Sequence, residues 1–347
     1  MSLLFLDSFD HYEVLDEKWD GQFFGGNIKP IVTQGRFTPG ALQIKGSGGG
    51  GTVTKNLDPL TSQEVIAGFA YNNVNADSYE GFFYFTDNTG VKGFLTINTS
   101  TGIADLVYNG VTITTAATIF TGSAWQHVEF RVKAHASLGE LEIRRNGSTV
   151  ASITAQALFP VGFTGFISFT VGADNNSQLH VIDDLYIFNA DGAKNNTFAG
   201  DTRITVLRPS SNGLDNNFTP FGDATNFGAV DDTIHDSDLT YVEAGQLGAK
   251  ERYNLFDFDD LGISPGTVYG CQVVNAAKKT DAGTLKYKDQ MIIGGIAYDK
   301  GEEVIATSGT YQMTFMVRDT DPSDDADWTE AKVAALGSGL EITFREV

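Results

Sequence analysis

Cysteine is almost absent from this chain of 347 residues, which contains Cys271 and no other. A single thiol cannot form an intramolecular disulfide, so the class of small secreted domains held together by disulfides is excluded. Long apolar runs are missing too, and none approaches the roughly 20 residues that a membrane-spanning helix requires. We therefore expect no membrane insertion, and a chain long enough for two domains with buried cores.

Basic residues are few. Lysine and arginine total 23 against 44 aspartates and glutamates, which gives a formal net charge of −21 and a pI near 4.4. Nucleic acids and anionic membrane surfaces would repel such a chain. We therefore expect no nucleic-acid partner, and the acidity is explained either by solubility or by the binding of cations.

The first residues lack the features of a secretory signal. Met1–Asp7 contains an apolar run of only four residues and no basic segment before it. We expect the chain to be made in a cytosol and, if it acts outside a cell, to leave by a route other than secretion.

Motifs for acyl transfer and nucleotide binding are missing as well. The sequence contains no Gly-x-Ser-x-Gly, no phosphate-binding loop and no Gly-x-Gly-x-x-Gly that opens a helix. The run Gly46–Gly51 lacks the Lys-Ser/Thr pair of a phosphate loop, and we interpret it as a mobile loop or a close backbone approach. We therefore predict no bound nucleotide.

The histidines do not form a zinc motif. None has a cysteine or carboxylate at the spacing of zinc ligands, and we expect His127 to be a solvated residue on the outer face of its strand. The five histidines are His11, His127, His135, His180 and His235.

Glycine, phenylalanine, tyrosine, threonine and valine are abundant, as is typical of β-structure. Apolar and polar residues alternate over Trp125–Lys133 and again over Glu140–Arg145, which predicts two half-buried strands. Asn146-Gly147 predicts a tight turn after them. We expect the polar faces of both strands to be solvated or to face another subunit.

The order of these patterns along the chain predicts two domains. Strand-sized runs separated by Gly, Asn and Thr indicate a β-sandwich of the jelly-roll type over residues 1–190. Residues 191–201 are small and polar and are interpreted as a linker. Residues 202–347 are predicted to form a second, β-rich domain with one short helix, for which Thr329 is the expected N-cap.

Three features are expected within the second domain. A strand is predicted over Thr202–Leu207, and Gly337 and Gly339 are expected to stop the helix. The segment Pro209–Thr233 is rich in Asn, Gly and Asp with few strand signals, so we expect a long irregular loop that carries an interaction or is poorly ordered.

Glycoside hydrolysis uses two carboxylates roughly 5–10 Å apart and occurs on β-sandwiches. Glu140 and Glu142 share a face of one predicted strand. Sandwich glycosidases resemble one another in a Glu-x-Asp-x-x-Glu-like strand, and here the third carboxylate is missing. We therefore predict no catalytic residues and no enzyme activity.

Aspartate and asparagine clusters could supply oxygen ligands to a hard cation. None matches the twelve-residue calcium loop with its terminal Glu, so turns and solvated edges are the favoured interpretation. No cofactor is predicted, although a calcium ion at one cluster stays compatible with the sequence. The clusters are Asp87–Gly90, Asp174–Asn176, Asp183-Asp184, Asp231-Asp232, Asp257 with Asp259-Asp260, and Asp319–Asp327.

Aromatic residues are dense between positions 71 and 85. An exposed aromatic platform is one way in which a sandwich binds a sugar ring, whereas burial in the core is the favoured alternative. The residues concerned are Tyr71, Tyr79, Phe82, Phe83, Tyr84 and Phe85.

The segment from Trp125 to Gly147, followed later by Val181-Ile182-Asp183-Asp184-Leu185-Tyr186-Ile187, resembles the laminin-G-like or concanavalin-A-like jelly roll. The opening LLFLDSFDHY, Arg208-Pro209, Asp321-Pro322 and Trp328-Thr329 are similar to virion proteins of tailed bacteriophages. That family commonly pairs such a jelly roll with a β-rich C-terminal domain. From the long loop Pro209–Thr233, which could lie on a neighbouring subunit, we expect the second domain to be the attachment or oligomerisation unit.

This resemblance implies a non-enzymatic structural protein exposed on a phage virion, either a capsid-decorating or head-fibre protein or a tail or fibre protein. Its partners would be other virion proteins and copies of itself, and it would be synthesised in the bacterial host cytoplasm. The alternative is a carbohydrate-binding protein that adheres to host-surface glycan. A polysaccharide-degrading glycosidase is the third possibility.

Overall fold

The computed structural model describes residues 2–23, 28–31, 33–45, 51–57, 62–73, 80–98, 103–115, 124–158, 161–173, 179–264, 266–281, 283–300, 304–306, 309 and 311–345. The chain divides into two compact units, Met1–Ile204 and Thr205–Val347. Both are built almost entirely from antiparallel strands, and the described part contains one short α-helix. The predicted all-β class is confirmed. Most of the run Gly46–Gly51 lies outside the described residues.

The first unit contains fifteen described strands and a 3₁₀ turn at Leu15–Glu17. The strands are β1 (Leu3–Asp7), β2 (Gly21–Phe23), β3 (Ile28–Ile31), β4 (Ala41–Lys45), β5 (Gly51–Asn56), β6 (Glu64–Asn73), β7 (Glu80–Asp87), β8 (Lys92–Asn98), β9 (Ile103–Tyr108), β10 (Val111–Thr115), β11 (Gln126–Lys133), β12 (Gly139–Arg145), β13 (Ser148–Gln156), β14 (Phe166–Ala173) and β15 (Leu179–Asn189).

These strands form two sheets that pack face to face. Sheet A has the order β13-β12-β11-β6-β15-β4-β3, with β1 also paired to β15, and sheet B has the order β10-β9-β8-β7-β14-β5-β2. Aromatic rings fill the space between them: the ring centroids of Phe69 in sheet A and Phe83 in sheet B lie 4.4 Å apart, and those of Phe130 and Phe85 lie 5.9 Å apart. The first unit is therefore a β-sandwich, as predicted.

The sequence explains the central strands directly. Val128, Phe130 and Val132 are fully buried on the inner face of β11, as their alternation predicts. Both residues of Asn146-Gly147 have positive φ angles of 47° and 78°, the backbone of a tight hairpin turn that asparagine and glycine adopt at low cost.

The second unit contains ten described strands and the α-helix. They are β16 (Pro209–Asn216), β17 (Thr219–Phe221), β18 (Tyr241–Glu243), β19 (Lys250–Leu255), β20 (Cys271–Ala277), β21 (Leu285–Ile293), β22 (Ile296–Asp299), β23 (Val304–Ala306), β24 (Gln312–Arg318), α1 (Glu330–Ala334) and β25 (Leu336–Arg345).

The second unit is organised around one main sheet of order β16-β19-β25-β21-β22, with β23 paired to β21. Two two-stranded ladders, β17-β18 and β20-β24, accompany it. Val273, Met291, Met316, Trp328 and Leu336 form its apolar core. The hydroxyl of Thr329 accepts the Lys332 N–H at 3.3 Å, which confirms the predicted N-cap.

Sequence patterns misplaced several boundaries in this unit. Thr202–Leu207 is not a strand, whereas the predicted irregular loop Pro209–Thr233 contains β16 and β17. Gly337 and Gly339 lie inside β25, not in a helix stop, because β19 and β21 approach them so closely that a Cβ at either position would meet the backbone of β19. Glycine fits at both positions because it has no Cβ and the neighbouring strands leave no room for one.

A buried carboxylate fixes part of the predicted loop. Glu251 on β19 is fully buried, and its carboxylate accepts the Phe218 N–H at 2.9 Å and the Asn226 side-chain amide at 3.0 Å. Such contacts satisfy polar groups that would otherwise be costly to bury. The polar residues of the predicted loop therefore include some that make specific hydrogen bonds.

No helix within the described ranges is long and apolar enough to cross a membrane.

Candidate functional site

Part of the outer face of sheet A, over β11 and β15, is covered by the segment of residues 190–204, here called the strap. Its backbone donates hydrogen bonds to side chains of the sheet: the Ala199 N–H to the Tyr186 hydroxyl at 3.2 Å, the Gly200 N–H to Glu129 Oε1 at 2.7 Å, and the Ile204 N–H to Asp184 Oδ1 at 2.7 Å. The interval 191–201, predicted as a linker, thus lies within the first unit and packs on its sheet.

Side chains hold the strap as well. The Phe198 ring lies 4.0 Å from the guanidinium carbon of Arg144, within the range of a cation–π contact. Arg36 pairs with Asp201 at 2.7 Å and donates to the Thr202 carbonyl at 3.2 Å. Backbone and side-chain contacts together hold the strap over the central strands of this face.

Local backbone geometry in β15 presents the residues that contact the strap. Asp184 has a positive φ of 53°, and the pairing register with β6 shifts between Asp183 and Tyr186, which are the features of a β-bulge. The ring of Tyr186 then lies over Gly68 of β6, where a Cβ would overlap it. Glycine at position 68 therefore makes room for Tyr186.

The expectation that His127 is solvated is wrong. His127 and Glu129 are each 1% exposed, because the strap covers their side of β11. Burial lowers the pKa of His127 to about 4, so the ring is neutral at pH 7. Glu129 Oε1 also accepts the Tyr186 hydroxyl at 2.5 Å.

Two adjacent carboxyl groups are also buried beneath this face. Asp183 accepts the backbone N–H groups of Arg36 and Asp184 at 2.8 and 2.7 Å. Burial, and then the neighbouring Asp184 carboxylate, raise the pKa of Asp183 above its ordinary value. Burial likewise raises the pKa of Asp184, against the opposing effect of the Ile204 N–H and Arg36. A substrate could reach this network only by displacing the strap.

Glu140 and Glu142 are brought together on β12, but each is engaged in ion pairs. Arg131 lies 2.7 Å from Glu140 and 2.9 Å from Glu142, and Arg144 lies 2.8 Å from Glu142. Burial alone would raise the pKa of Glu142, but hydrogen bonds from Arg144 and Thr149 outweigh it and lower that pKa. A carboxylate held in this way is a poor general acid.

The remaining histidines lie apart from one another. His180 stacks on Tyr71, whose hydroxyl is 2.5 Å from Nδ1, and burial lowers the pKa of His180 to about 4. His11 is half-buried beside Lys18, His135 accepts two backbone N–H groups of its own turn, and His235 packs edge-on to Tyr311. Within the described ranges, no three His, Cys, Asp or Glu side chains form a group suited to a metal ion.

Carboxylates of the acidic clusters accept backbone N–H groups within turns. Asp87 accepts the N–H groups of Thr89 and Val91, and Asp257 and Asp260 cap each other's backbone N–H. At the cluster Asp319–Asp327, the Lys332 ammonium lies 3.0 Å from Asp321 and 2.7 Å from Asp324. Lysine therefore occupies the position that a cation would take there. The cluster Asp174–Asn176 lies outside the described residues.

Sheet B presents a different outer surface, here called the sheet B face, formed by Thr54, Tyr84, Thr86, Lys92, Ser168 and Thr170. The strand register places Tyr84 beside Thr170, Thr170 beside Thr54, and Thr86 between Lys92 and Ser168. Their neighbours along the strands, such as Phe83 and Phe85, point into the core, so these six side chains point away from it.

The sheet B face combines an aromatic ring with hydroxyl groups. Tyr84 is half-buried, and the Lys92 ammonium lies 4.4 Å from its ring centroid. The hydroxyls of Thr54 and Thr170 are hydrogen-bonded at 2.9 Å. Ser168 and Thr170 are buried, at 8% and 2% exposure, so the accessible part of the face is the Tyr84 ring with Thr54, Thr86 and Lys92. This arrangement offers a stacking surface beside hydrogen-bonding groups, which is what a saccharide ring requires.

The predicted aromatic cluster divides between the core and this face. Tyr71, Phe83 and Phe85 are buried in the sandwich, as the core interpretation predicts, and Tyr84 lies on the sheet B face. Tyr79 and the side chain of Phe82 lie outside the described residues. Alternation within β7 indicates that Tyr84 and Thr86 share one side, but Lys92 and Thr170 join them only through the pairing of β8 and β14 with β7, which the sequence does not reveal.

No family model and no curated protein matches this chain. Among solved structures, an endo-β-1,4-glucuronan lyase from the fungus Trichoderma reesei is similar, with 16% identity over 53% of this chain and 94% of its own and a TM-score of 0.40. A basic winged bean lectin with Tn-antigen has 10% identity over 54% of this chain and 98% of its own, with a TM-score of 0.39.

A conserved carbohydrate esterase from the Shiga toxin-encoding bacteriophage phi24B is similar as well. It has 13% identity over 53% of this chain and 99% of its own, with a TM-score of 0.36. Similarities at this level carry no functional argument, which has to come from the surfaces of this chain.

Proposed function

We propose that this protein binds carbohydrate and that the sheet B face is its binding surface. This is the alternative expected from the sequence, adhesion to glycan, in place of a purely structural role. The observation that supports it is the half-buried ring of Tyr84 with the partly exposed Thr54 and Thr86 and the exposed Lys92 on the same side of sheet B. On the outer face of sheet A, β11 and β15 are covered by the strap.

The chemistry of that face suits a sugar. An aromatic ring packs against the apolar C–H side of a pyranose, while nearby hydroxyls exchange hydrogen bonds with its hydroxyl groups. The side chains stand on paired strands of a sheet, so little conformational entropy is lost when a ligand binds.

The test is binding of the whole protein to an array of bacterial polysaccharides and oligosaccharides, with Tyr84→Ala as the variant. We expect Tyr84→Ala to weaken binding about tenfold or more, since truncating a central aromatic contact commonly has an effect of this size. Phe221→Ala is the matched control, because Phe221 is 53% exposed in the second unit. Unchanged binding by Tyr84→Ala, or no binding to any glycan, would contradict the proposal.

We further propose that the protein acts without catalysis. Glu140 and Glu142 are both held by arginine, which supports a structural role for the pair. Release of reducing sugar from a bound polysaccharide, lost in Glu140→Gln or Glu142→Gln, would overturn this.

The setting implied by the sequence resemblance, the exposed surface of a tailed-phage virion, remains a prediction. A glycan-binding protein in that place would attach the particle to its host. Mass spectrometry of purified virions tests it, and absence of the polypeptide would contradict the setting without affecting the binding proposal.

A further inference from the structure

Lys92 is the charged residue of the sheet B face. Its side chain is exposed, its ammonium lies 4.4 Å from the Tyr84 ring centroid, and it forms no ion pair with any residue that the structure describes. We infer that the sheet B face selects glycans carrying an acidic group, such as a uronic acid, sulfate or phosphate, and that Lys92 binds that group. The inference rests on the proposed function of this face.

Three basic residues of sheet A are, in contrast, held in ion pairs. Arg131 is paired with Glu140 and Glu142, Lys133 with Glu140, and Arg144 with Glu142. Acidic residues outnumber basic ones by 44 to 23 in this chain, so a carboxylate partner is readily available to most lysines. Lys92 contacts an aromatic ring instead, and its donors stay available to a ligand.

The nearest carboxylates of sheet B do not neutralise Lys92. Asp87 is buried, and its Oδ1 accepts hydrogen bonds from Thr89 and Val91. Asp105 pairs in register with Thr96, four residues along β8 from Lys92, which corresponds to about 13 Å of strand. Charges separated by more than about 8 Å are largely screened at physiological ionic strength.

The same screening limits the repulsion between an acidic glycan and a chain of net charge −21. An acidic group stacked beside Tyr84 would meet Lys92 at contact distance, whereas most of the acidic residues act from beyond the screening length. Hydrogen bonds to charged groups are stronger than those between neutral groups. A sugar resting on the Tyr84 ring therefore gains most if it carries an anion on the side of Lys92.

The experiment compares binding of the full-length wild type, Lys92→Gln and Lys92→Arg to an array that pairs neutral polysaccharides with uronic-acid, sulfated and phosphorylated ones. We expect wild type to prefer acidic glycans, Lys92→Gln to lose about tenfold or more in affinity for them, and Lys92→Arg to retain most of it. Lys29→Gln is the control, because it removes one exposed charge from β3 in the other sheet.

The outcomes separate the two proposals. Binding of neutral and acidic glycans with equal affinity, or acidic binding unchanged in Lys92→Gln, would overturn the inference while leaving glycan binding intact. Equal losses in Lys92→Gln and Lys29→Gln would show a general effect of net charge and would also overturn it. Absence of binding to every glycan would overturn the proposed function and the inference together.

Discussion

Asp183 is the residue whose environment departs most clearly from what its sequence neighbours suggest. The pair Asp183-Asp184 reads as a solvated or turn-forming cluster, yet the two residues are 1% and 2% exposed. The β-bulge at Asp184 turns both carboxyl groups toward buried backbone N–H groups. A bulge depends on the pairing of two distant strands, so local sequence does not reveal it.

This environment predicts a pH-dependent effect of Asp183→Asn. Burial and Asp184 raise the pKa of Asp183 in the folded state above the unfolded value of about 3.9. The stability contributed by the protonated form is therefore complete below about pH 4 and is lost as the pH rises through the raised pKa. Asparagine does not titrate, so the Asp183→Asn variant does not lose stability in this way. Its thermal midpoint should therefore rise relative to that of wild type as the pH increases from 4 to 8.

Thermal melts across that range provide the measurement, with the exposed residue Asp16 mutated to Asn as the control. Asn retains one side-chain oxygen where Asp183 accepts from two N–H groups, so the variant is expected to be less stable at pH 4. A difference between variant and wild type that stays constant from pH 4 to pH 8 would contradict the assigned pKa shift.

Among the elements of the first unit, β11 differs from expectation because the strap covers its polar face. Alternation predicted that strand and its inner face correctly, because side chains of a strand alternate whatever covers its other face. It did not predict a cover on the polar side. The strap is bound largely through the N–H groups of Ala199, Gly200 and Ile204, and almost every residue carries such a group, so composition contains no signal for it.

We expect Glu129→Ala to loosen the strap. The substitution removes the acceptor of the Gly200 N–H and of the Tyr186 hydroxyl, and loss of a buried acceptor costs roughly 1–3 kcal/mol. Hydrogen–deuterium exchange should therefore speed up at Gly200 and Ile204. Glu140→Ala, on the neighbouring strand, is the control, since Glu140 pairs with Arg131 and Lys133; equal exchange in the two variants would contradict the role of Glu129.

The whole molecule consists of a β-sandwich unit and a second β-rich unit, and the sequence predicted that class. It was less informative about surfaces. The stretch from Trp125 to Asn146 has the clearest strand pattern in the sequence, but the side chains of its polar face are covered by the strap or engaged in ion pairs. The sheet B face, which we propose as the binding surface, is assembled from β5, β7, β8 and β14, and only their pairing brings its residues together.

The most direct test of glycan binding at the sheet B face is hydrogen–deuterium exchange of the full-length protein with and without the polysaccharide that gives the strongest array signal. We expect slower exchange in β7, β8 and β14 when glycan is bound, and no change in residues 205–347. Protection confined to the second unit or to the strap, with sheet B unaffected, would contradict it.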